Sequence, residues 1–444
     1  MERSDPVPRI TVVGTGYLGA THAVCMAALG FDVLGVDTDA VKVAKLNSGQ
    51  VPFFEPGLPE LLSKALDSGR LRFSTSFHEA GEFGDIHFIC VGTPQQQGSD
   101  AADLRYVESA VTELAAHLRQ PALVVGKSTV PVGTAARLTE IVQRVAPAGT
   151  DVELAWNPEF LREGFAVDDT LRPDRLVFGV ASDWAETRLR AAFAPVIAQG
   201  VPVVVTDLAT AELVKVAANS FLATKISYIN AMAEVCEAAG GDVARLAEAL
   251  AHDERIGGRF LKPGLGFGGG CLPKDIRAFA HRAEELGVGQ AVSFLREVDD
   301  INKRRRSRTV DLIAELVGGE LRGARITVLG ASFKPNSDDI RDAPALDVAS
   351  SLHRLGAQVT VVDPAALDNA RRSHPELAYC ADALTAAAGA DVVALLTEWN
   401  EFRLIDPQVL GAVVAHRRVV DGRHALDPVR WREAGWEYRA LGRP

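Results

Sequence analysis

Short apolar runs alternate with helix-length segments along the first 200 residues. Runs rich in β-branched residues predict strands at 9–13, 32–36, 85–91, 122–126, 152–155 and 176–179, and residues 104–118 have the length of a helix. Strands that alternate with helices are typical of a parallel sheet covered by helices on both faces. The pattern therefore predicts a doubly wound, Rossmann-like α/β domain over residues 1–205.

The pattern changes after residue 205. One long Ala-rich helix is predicted from Asp207, a suitable N-terminal cap, to the stop at Gly240. This helix belongs to a predicted central helical domain, residues 206–305. The segment 325–330 then nearly repeats the segment 9–14. The run 359–362 likewise repeats the predicted strand 32–36, and the run 391–396 repeats the predicted strand 85–91. A second Rossmann-like domain is therefore expected over residues 306–444.

A glycine-rich turn, Gly-Thr-Gly-Tyr-Leu-Gly, follows the first predicted strand and opens a helix. In such a turn Gly14 allows the sharp bend, Gly16 lets a pyrophosphate approach the backbone, and Gly19 lets the helix pack closely on the sheet. Asp37 ends the second strand, where a carboxylate binds the ribose hydroxyls. No Arg follows Asp37 to accept a 2′-phosphate, so the motif favours NAD over NADP.

The second Rossmann-like domain lacks these glycines and has Gly-Ala-Ser-Phe-Lys at 330–334. We expect it to bind something other than a dinucleotide, and Lys334 and Arg341 favour an anion. The alternative is a domain that serves only structure or dimerisation.

A second glycine-rich segment, 266–275, leads to Cys271 and Pro273, a residue suited to the first turn of a helix. A helix N-terminus and a nearby Lys, here Lys274, stabilise a thiolate, which is the form that attacks a carbonyl carbon. Asp275 is four residues on and shares a helix face with Cys271. The alternative for a lone cysteine is a small buried hydrophobic residue.

Two further pairs of polar residues have helical spacing. Lys215 and Asn219 share one face of the long helix, with Glu212 one turn earlier, and could stabilise an oxyanion or move a proton. Glu159 and Glu163 follow a predicted strand end, where ligands of open α/β sheets bind, and one could activate water. The alternatives are a solvated helix face for the first pair and ordinary capping carboxylates for the second.

Composition narrows the class of protein. The 444 residues include 47 Lys and Arg against 58 Asp and Glu, a net charge of −11 that disfavours nucleic acid as a partner. The five cysteines are scattered singly, without the spacing of a disulfide framework or a zinc site. No apolar run reaches the length of about 18 residues that a membrane helix needs, and residues 1–8 have no targeting pattern. We expect a soluble, cytoplasmic protein without a metal.

Seven segments of the chain resemble the motifs of one family, the UDP-glucose/GDP-mannose dehydrogenases. They are GTGYLG at 14–19, VGTP at 91–94, KSTVPVGT at 127–134, NPEFLREG at 157–164, ELVKVAANSF at 212–221, GFGGGCLPKD at 266–275 and FKPNSDDIRDAP at 333–344. The resemblance covers nearly the whole chain and is greatest to the members that oxidise UDP-glucose at C6.

The resemblance implies a four-electron oxidation of a primary alcohol to a carboxylate, with two NAD used in succession. By this likeness Cys271 captures the aldehyde as a thiohemiacetal, which is oxidised to a thioester and hydrolysed. Lys215, Asn219 and Asp275 match residues that stabilise oxyanions and handle protons. Glu159 matches a residue that assists thioester hydrolysis, and Thr129 matches one that positions water.

The resemblance also implies two sets of binding residues. The cofactor set comprises Gly14, Gly16, Tyr17, Leu18, Gly19, Asp37, Lys42, Thr93, Thr129, Glu163, Lys274 and Arg341. The substrate set comprises Phe160, Leu161, Arg162, Glu163, Lys215, Asn219, Arg255, Phe260, Gly268, Lys334 and Arg423. Within it, Arg255 matches a residue donated by a neighbouring subunit, so a homodimer or a higher homo-oligomer is expected.

The substrate is UDP-glucose on this interpretation, because the residues around Cys271 depart from the patterns expected for GDP-mannose and for N-acetylhexosamines. Uracil and thymine differ by one methyl group, worth about 1–3 kcal/mol in a pocket, so TDP-glucose stays an alternative, as does GDP-mannose. Two other classes of function stay open. One is a two-electron hydroxy-acid dehydrogenase, and the other is a sensor that binds NAD and a nucleotide sugar without turnover.

Overall fold

The computed structural model describes residues 7–443. Most of the N-terminal stretch used for the targeting prediction, residues 1–6, lies outside this range. The chain divides into two compact units, with the division after Ala218. No helix within residues 7–443 is long and apolar enough to cross a membrane.

The first unit is built on an eight-stranded sheet. In chain order its strands are β1 (Ile10–Val13), β2 (Val33–Val36), β3 (Leu71–Ser74), β4 (Ile86–Ile89), β5 (Ala122–Gly126), β6 (Val152–Trp156), β7 (Leu176–Gly179) and β8 (Val203–Thr206). Their order across the sheet is β3-β2-β1-β4-β5-β6-β7-β8. Side chains of β1, β2, β4 and β5 are buried along the whole strand, as expected where helices cover both faces of a sheet.

Nine helices accompany this sheet in the described residues. They are α1 (Tyr17–Ala28), α2 (Ala40–Asn47), α3 (Leu58–Asp67), α4 (Phe77–Phe83), α5 (Arg105–Ala115), α6 (Thr134–Val145), α7 (Ala166–Leu171), α8 (Asp183–Ala192) and α9 (Ala194–Ile197). The first six strands are parallel, whereas β7 pairs with β6 in the antiparallel direction and β8 follows β7. The predicted fold class is confirmed, and the direction of these last two strands is the difference from a purely parallel sheet.

Helix α10 (Leu208–Ala239) begins in the first unit and continues into the second. Asp207 accepts a hydrogen bond from the Thr210 N–H at 2.8 Å, and Gly240 has a positive φ of 72°. The capping carboxylate at the start and the left-handed glycine at the end are the start and stop signals that the sequence predicted.

The second unit contains three more helices before its sheet: α11 (Val243–Ala251), α12 (Leu272–Glu285) and α13 (Phe294–Leu316). Helix α12 begins immediately after Cys271, as predicted. Helix α13 is not among the predicted elements, and it spans residue 305, where the sequence places a domain boundary. That boundary stays a prediction.

The sheet of the second unit has six strands, all parallel. Along the chain the remaining elements are β9 (Arg325–Leu329), α14 (Pro344–Arg354), β10 (Gln358–Val362), α15 (Leu367–Ser373), β11 (Ala378–Cys380), α16 (Ala383–Ala387), β12 (Val392–Leu395), α17 (Asn400–Arg403), α18 (Pro407–Gly411), β13 (Arg418–Asp421), α19 (Pro428–Glu433) and β14 (Glu437–Ala440). The order β11-β10-β9-β12-β13-β14 repeats that of the first six strands of the chain. The predicted duplication is therefore confirmed at the level of topology.

Candidate active site

The turn between β1 and α1 has the geometry that a dinucleotide requires. Gly14 has a φ of +87°, in the left-handed region that favours glycine. A Cβ at Gly19 would lie 1.8 Å from the Gly14 carbonyl oxygen, so only glycine lets α1 approach this closely. A Cβ at Gly16 would meet no atom within 4 Å, which leaves open space over the backbone at the N-terminus of α1. These features fit a bound pyrophosphate.

Asp37 lies at the end of β2, where it is held by neighbours on both sides. Its Oδ2 accepts hydrogen bonds from the Thr15 N–H at 2.8 Å and from the Lys42 ammonium at 2.7 Å, and its Oδ1 accepts from the Asp39 N–H. Burial alone would raise the pKa of Asp37, but these hydrogen bonds outweigh it and lower the pKa. The carboxylate is therefore ionised and fixed in the place expected for a ribose contact.

A buried carboxylate that the sequence did not single out, Glu55, lies beside the same turn. It is 3% exposed and accepts hydrogen bonds from the Tyr17 hydroxyl, the Gly164 N–H and the Ala166 N–H. Burial and the Glu55 carboxylate raise the pKa of Tyr17, so its hydroxyl stays protonated and donates. Glu55 thus ties the first residue of α1 to the loop before α7. It could not have been found from spacing, because its partners are 38 to 111 residues away in the chain.

Two predicted threonines are joined at the carboxyl ends of β4 and β5. The Thr93 hydroxyl donates to the Thr129 carbonyl at 2.6 Å. In open α/β sheets this edge is the usual place for ligands. The remaining predicted cofactor contact of α1, Leu18, packs against the core of the first unit.

The predicted Glu159 and Lys215 form an ion pair within the first unit. The Lys215 ammonium lies 3.1 Å from Glu159 Oε1, and the side chains are 6% and 13% exposed respectively. Glu159 Oε2 accepts from the Leu161 N–H at 2.7 Å, and the ammonium lies 5.6 Å from the centre of the Phe160 ring. The solvated-face alternative for Lys215 is therefore wrong. A carboxylate and an ammonium held this closely can exchange or orient a proton.

Glu212, one turn before Lys215, has a structural role. Its carboxylate accepts hydrogen bonds from the Gly133 N–H at 2.8 Å and the Ala135 N–H at 2.6 Å, at the start of α6. It therefore satisfies backbone donors that the N-terminus of a helix leaves unpaired. In the loop after β6, the Arg162 side chain donates two hydrogen bonds to Asp169, its backbone N–H donates a third, and the side chain is mostly exposed.

Cys271 lies in the second unit at the N-cap position of α12 and is exposed. The buried-hydrophobe alternative for this cysteine is therefore wrong. Asp275, one turn later, is 1% exposed and accepts a hydrogen bond from the Asn219 amide at 2.6 Å. The Lys274 ammonium lies 2.9 Å from the other oxygen of Asp275. The structure thus brings Asn219, Lys274 and Asp275 together at the start of α12, the helix that follows Cys271.

The glycine-rich loop before Cys271 is held by three side chains. Asn302, on α13, accepts from the Phe267 N–H at 2.7 Å and donates to the Phe267 carbonyl at 2.9 Å. Arg306 donates to the same carbonyl, and Arg423 donates to the Gly266 carbonyl. Sequence reasoning missed Asn302, which lies beside a run of basic residues that indicates an exposed face.

The glycines of this loop make room for the segment 333–342. A Cβ at Gly268 would lie 2.2 Å from the Asp342 carbonyl oxygen, and one at Gly270 would lie 2.2 Å from the Arg341 guanidinium carbon. Arg341 is paired with Asp339, and Lys334 lies 5.4 Å from the centre of the Phe333 ring. The predicted residues Gly268, Lys334 and Arg341 are therefore grouped around one part of the second unit.

Other predicted substrate residues have local partners. The Arg423 side chain is 13% exposed and donates to three backbone carbonyls, those of Gly266, Phe333 and Leu396. Arg255 is exposed and paired with Asp253. Phe260 is partly exposed, with a positive φ of 63°.

The acidic residue of the second fold, Asp363, is closed off by the protein itself. Its Oδ2 accepts from the Ala331 N–H, the Ser332 N–H and the Trp399 indole, and the residue is 2% exposed. Asp37 has the partly exposed Lys42 as its side-chain partner, whereas Asp363 has the buried Trp399 indole, which leaves the second carboxylate enclosed. The second fold is therefore unsuited to a dinucleotide in the manner of the first, as the sequence predicted.

Comparison with known proteins gives one family. Its NAD binding domain matches residues 8–197, its central domain residues 209–304, and its UDP binding domain residues 327–428. The chain is 42% identical to a UDP-glucose 6-dehydrogenase from Rhizobium meliloti, covering 98% of this chain and 100% of the relative. It is 40% identical to one from Pseudomonas aeruginosa, covering 98% of each.

Solved structures give the same result. A UDP-glucose dehydrogenase from Pyrobaculum islandicum is similar over 100% of both chains, with a TM-score of 0.91 and 37% identity. A UDP-D-ManNAc dehydrogenase from Pyrococcus horikoshii has a TM-score of 0.85 and 26% identity, over 98% of this chain and 99% of that one. The chain belongs to the UDP-glucose/GDP-mannose dehydrogenase family.

Proposed function

We propose that the chain oxidises UDP-glucose at C6 to UDP-glucuronate, using two NAD and one water for each sugar. The observation that carries the proposal is the exposed Cys271 at the start of α12, one turn from the buried Asp275 with its partners Asn219 and Lys274. A two-electron hydroxy-acid dehydrogenase has no use for such a nucleophile. The names of the full-length relatives point to UDP-glucose as the substrate.

The three predicted domains have different roles in this proposal. Residues 1–205 bind NAD, residues 306–444 bind the nucleotide sugar, and residues 206–305 contribute catalytic groups and the subunit contact. When bound, NAD supplies the electron acceptor for both oxidations. Gly16 gives its pyrophosphate access to the N-terminus of α1, and Asp37 accepts hydrogen bonds from its ribose.

Cys271 carries the sugar between the two oxidations. The first oxidation converts the C6 alcohol to an aldehyde, and the thiolate sulfur adds to its carbon to give a thiohemiacetal. The second oxidation converts this adduct to a thioester. Water then adds to the thioester carbon, the C–S bond breaks, and the carboxylate leaves while the thiol is regenerated. The aldehyde is never released, because it is covalently bound as soon as it forms.

The polar residues that the family resemblance assigns to the reaction have separate roles. Lys215 and Asn219, one turn apart on α10, stabilise the oxygen of the alcohol and of the tetrahedral adducts as it gains negative charge. Asp275 orients the Asn219 amide and accepts protons. Glu159, with Thr129, directs the water that hydrolyses the thioester.

The experiment that tests the reaction is a stoichiometry measurement. Limiting UDP-glucose is mixed with excess NAD, absorbance at 340 nm counts the NADH formed, and mass spectrometry identifies the sugar. Two NADH for each sugar and UDP-glucuronate as product are expected. One NADH with a released aldehyde would contradict the thioester route, and binding without NADH would favour a sensor.

The same assay with TDP-glucose and GDP-mannose tests the choice of nucleotide sugar. We expect UDP-glucose to be used best. Turnover with another nucleotide sugar alone would preserve the chemistry and correct the substrate.

Replacing the nucleophile gives a separate prediction. Cys271→Ala is expected to abolish formation of the acid while leaving the affinity for UDP-glucose nearly unchanged, because the side chain is small and exposed. Binding is measured by calorimetry and acid formation by mass spectrometry. Cys236→Ala, at a buried thiol on α10, serves as the control and should keep turnover. Full acid formation by the Cys271 variant would refute the nucleophile.

The proposed assembly is a homodimer formed through α10. Three apolar side chains seven residues apart, Phe221, Tyr228 and Val235, lie on one face of this helix and are 67%, 50% and 57% exposed. A heptad stripe of this kind is the pattern that packs against another helix. All five cysteines are thiols, which fits the reducing cytoplasm that we propose as the protein's location.

A further inference from the structure

Lys127 is a buried lysine for which the reaction described above gives no role. It follows β5 directly and is 7% exposed. Its ammonium donates to the Asn157 side-chain oxygen at 2.8 Å and lies 5.8 Å and 5.7 Å from the ring centres of Phe88 and Phe193. The polar partner of this cation is therefore a neutral amide rather than a carboxylate.

Asn157, which receives this hydrogen bond, is fixed on two other sides. Its N–H donates to the Gly126 carbonyl at 2.8 Å, and its side-chain amide donates to the Val177 carbonyl at 2.9 Å. Because the amide nitrogen is used in this way, the oxygen must face Lys127. Asn157 is 1% exposed, and Pro158 joins it directly to Glu159. Any shift of Asn157 is therefore passed on to Glu159.

The charges around Lys127 have a simple arrangement. Burial raises the pKa of the Cys90 thiol to about 12, and burial together with the Lys127 charge lowers the pKa of His22, so both neighbours are neutral. Burial lowers the pKa of Lys127 itself, its interactions with Cys90 and Glu159 oppose this, and the Lys215 charge adds to it. The charged neighbours of Lys127 are thus Glu159 and Lys215, which form the ion pair of the site.

A buried ammonium is costly. Removing such an ion from water costs free energy even after the protein relaxes, and one hydrogen bond to a neutral amide oxygen with two ring contacts offsets only part of this cost. Buried ionisable groups that are kept despite such a cost are concentrated at functional sites. Lys127 is at the strand ends where this site is built.

We propose that Lys127 is a positioning residue that holds Asn157, and through it Glu159, in place for thioester hydrolysis. The proposal rests on the proposed function. Glu159 must keep one oxygen on the Leu161 N–H and the other 3.1 Å from Lys215. Without the ammonium, the Asn157 oxygen loses its donor, and the turn that carries Glu159 is held at Asn157 by two hydrogen bonds instead of three. A misplacement of about 1 Å can cost about 100-fold in rate.

The experiment is a pre-steady-state measurement on Lys127→Met. Methionine has an unbranched side chain of similar length but carries neither the positive charge nor the hydrogen-bond donor. We expect kcat to fall about 100-fold while the KM values for UDP-glucose and NAD change little. We expect a rapid burst of two NADH for each active site, followed by slow turnover. Mass spectrometry of the quenched enzyme should find the uronyl thioester on Cys271. A merely structural loss would not make this one intermediate accumulate.

Two further variants complete the test. Asn157→Ser removes the acceptor of the same hydrogen bond, so it should give the same burst. The double variant should lower kcat no further than either single variant does. Asn47→Leu is the matched control, because it removes two side-chain hydrogen bonds to β3 in the same unit. It should lower thermal stability without any accumulation of thioester.

Three outcomes would overturn the role of Lys127. They are wild-type kcat in a folded Lys127→Met, a rise in both KM values without a burst, and failure of both the Lys127 and the Asn157 variants to fold. Failure of the proposed function looks different, since the unmodified protein would then not form two NADH from UDP-glucose.

Discussion

Asp37 shows how one side chain can serve both the fold and a ligand. Its carboxylate accepts hydrogen bonds from two backbone N–H groups, those of Thr15 and Asp39, and from the Lys42 ammonium. It is 8% exposed, so the ion pair with Lys42 is better shielded from water than a surface pair. Hydrogen bonds to a charged group are each worth about 1.5–3 kcal/mol. Asp37 therefore stabilises the first unit before any ribose is bound.

The stability that Asp37 provides should depend on pH. Asp37→Asn is expected to lower the free energy of unfolding at pH 7 by about 1–3 kcal/mol. The pKa of Asp37 is lowered in the folded protein, so its contribution is complete above the unfolded value of about 3.9 and is lost as the pH falls through the folded pKa. Urea unfolding from pH 7 down to pH 3 measures this, and the difference between the two proteins should shrink below pH 4.

Asp32→Asn is the control for this prediction. Asp32 pairs with Arg70 on the surface, and both side chains are about half exposed. Its replacement should change stability by less than about 0.5 kcal/mol at any pH. A difference between Asp37→Asn and the unmodified protein that grew as the pH fell would contradict the lowered pKa.

At the scale of elements, the turn between β1 and α1 contains two glycines that look alike in the sequence but differ in the space available for a side chain. A Cβ at Gly19 collides with the Gly14 carbonyl, whereas one at Gly16 enters open space. Gly16 also has a φ of −71°, which any residue can adopt. Gly19 is therefore required by the packing of α1, and Gly16 is required only by what approaches the turn from outside.

Alanine at these two positions should give opposite results. Gly19→Ala should destabilise the first unit by about 1–3 kcal/mol, because α1 must move away from the turn. Gly16→Ala should leave the melting temperature unchanged and weaken NAD binding at least about 10-fold, because its methyl group occupies the space of the pyrophosphate. Thermal unfolding and a fluorescence titration with NADH measure the two effects. Unaltered NADH affinity in Gly16→Ala would refute the pyrophosphate site.

Helix α13 marks a limit of what the sequence can predict about elements. Its apolar positions are interrupted by the run Lys303 to Arg306, which indicates a solvated segment. In the structure Arg305 is fully buried and pairs with Glu237, and Arg306 pairs with Asp342. These carboxylates are 68 and 36 residues away in the chain. Local periodicity cannot find partners that only the tertiary fold brings close, and Asn302 was missed for the same reason.

At the scale of the whole molecule, the duplicated fold was predictable because its signals are local. The repeated Arg-Ile-Thr-Val strand and the acidic end of the next strand lie within 40 residues in each copy. The different use of the two copies was predictable from the missing glycines. The enclosure of Asp363 in the second copy could not be predicted, because one of its donors, Trp399, is 36 residues away in the chain. The same holds for Glu55 and Lys127 at the site.

The apolar stripe on α10 leads to the last prediction, which concerns assembly. A double variant, Phe221→Asp with Tyr228→Asp, places two charges on the stripe and should convert the protein to a monomer of 47.4 kDa, measured by light scattering after gel filtration. The unmodified protein should have at least twice this mass. Leu404→Asp is the matched control, because Leu404 is 68% exposed, like Phe221 at 67%. Leu404 lies at the C-terminal end of the short helix α17, away from the stripe in the sequence. It should leave the mass unchanged.

Loss of the dimer should also be visible in catalysis. The family resemblance predicts that Arg255 reaches the substrate of a neighbouring subunit, and within its own chain Arg255 is exposed and paired with Asp253. The double variant should therefore raise the KM for UDP-glucose to the same degree as Arg255→Ala, and combining the two changes should add nothing further. A monomer with an unchanged KM for UDP-glucose would show that each chain builds its substrate site alone, and Arg255 would then act on the surface of its own subunit.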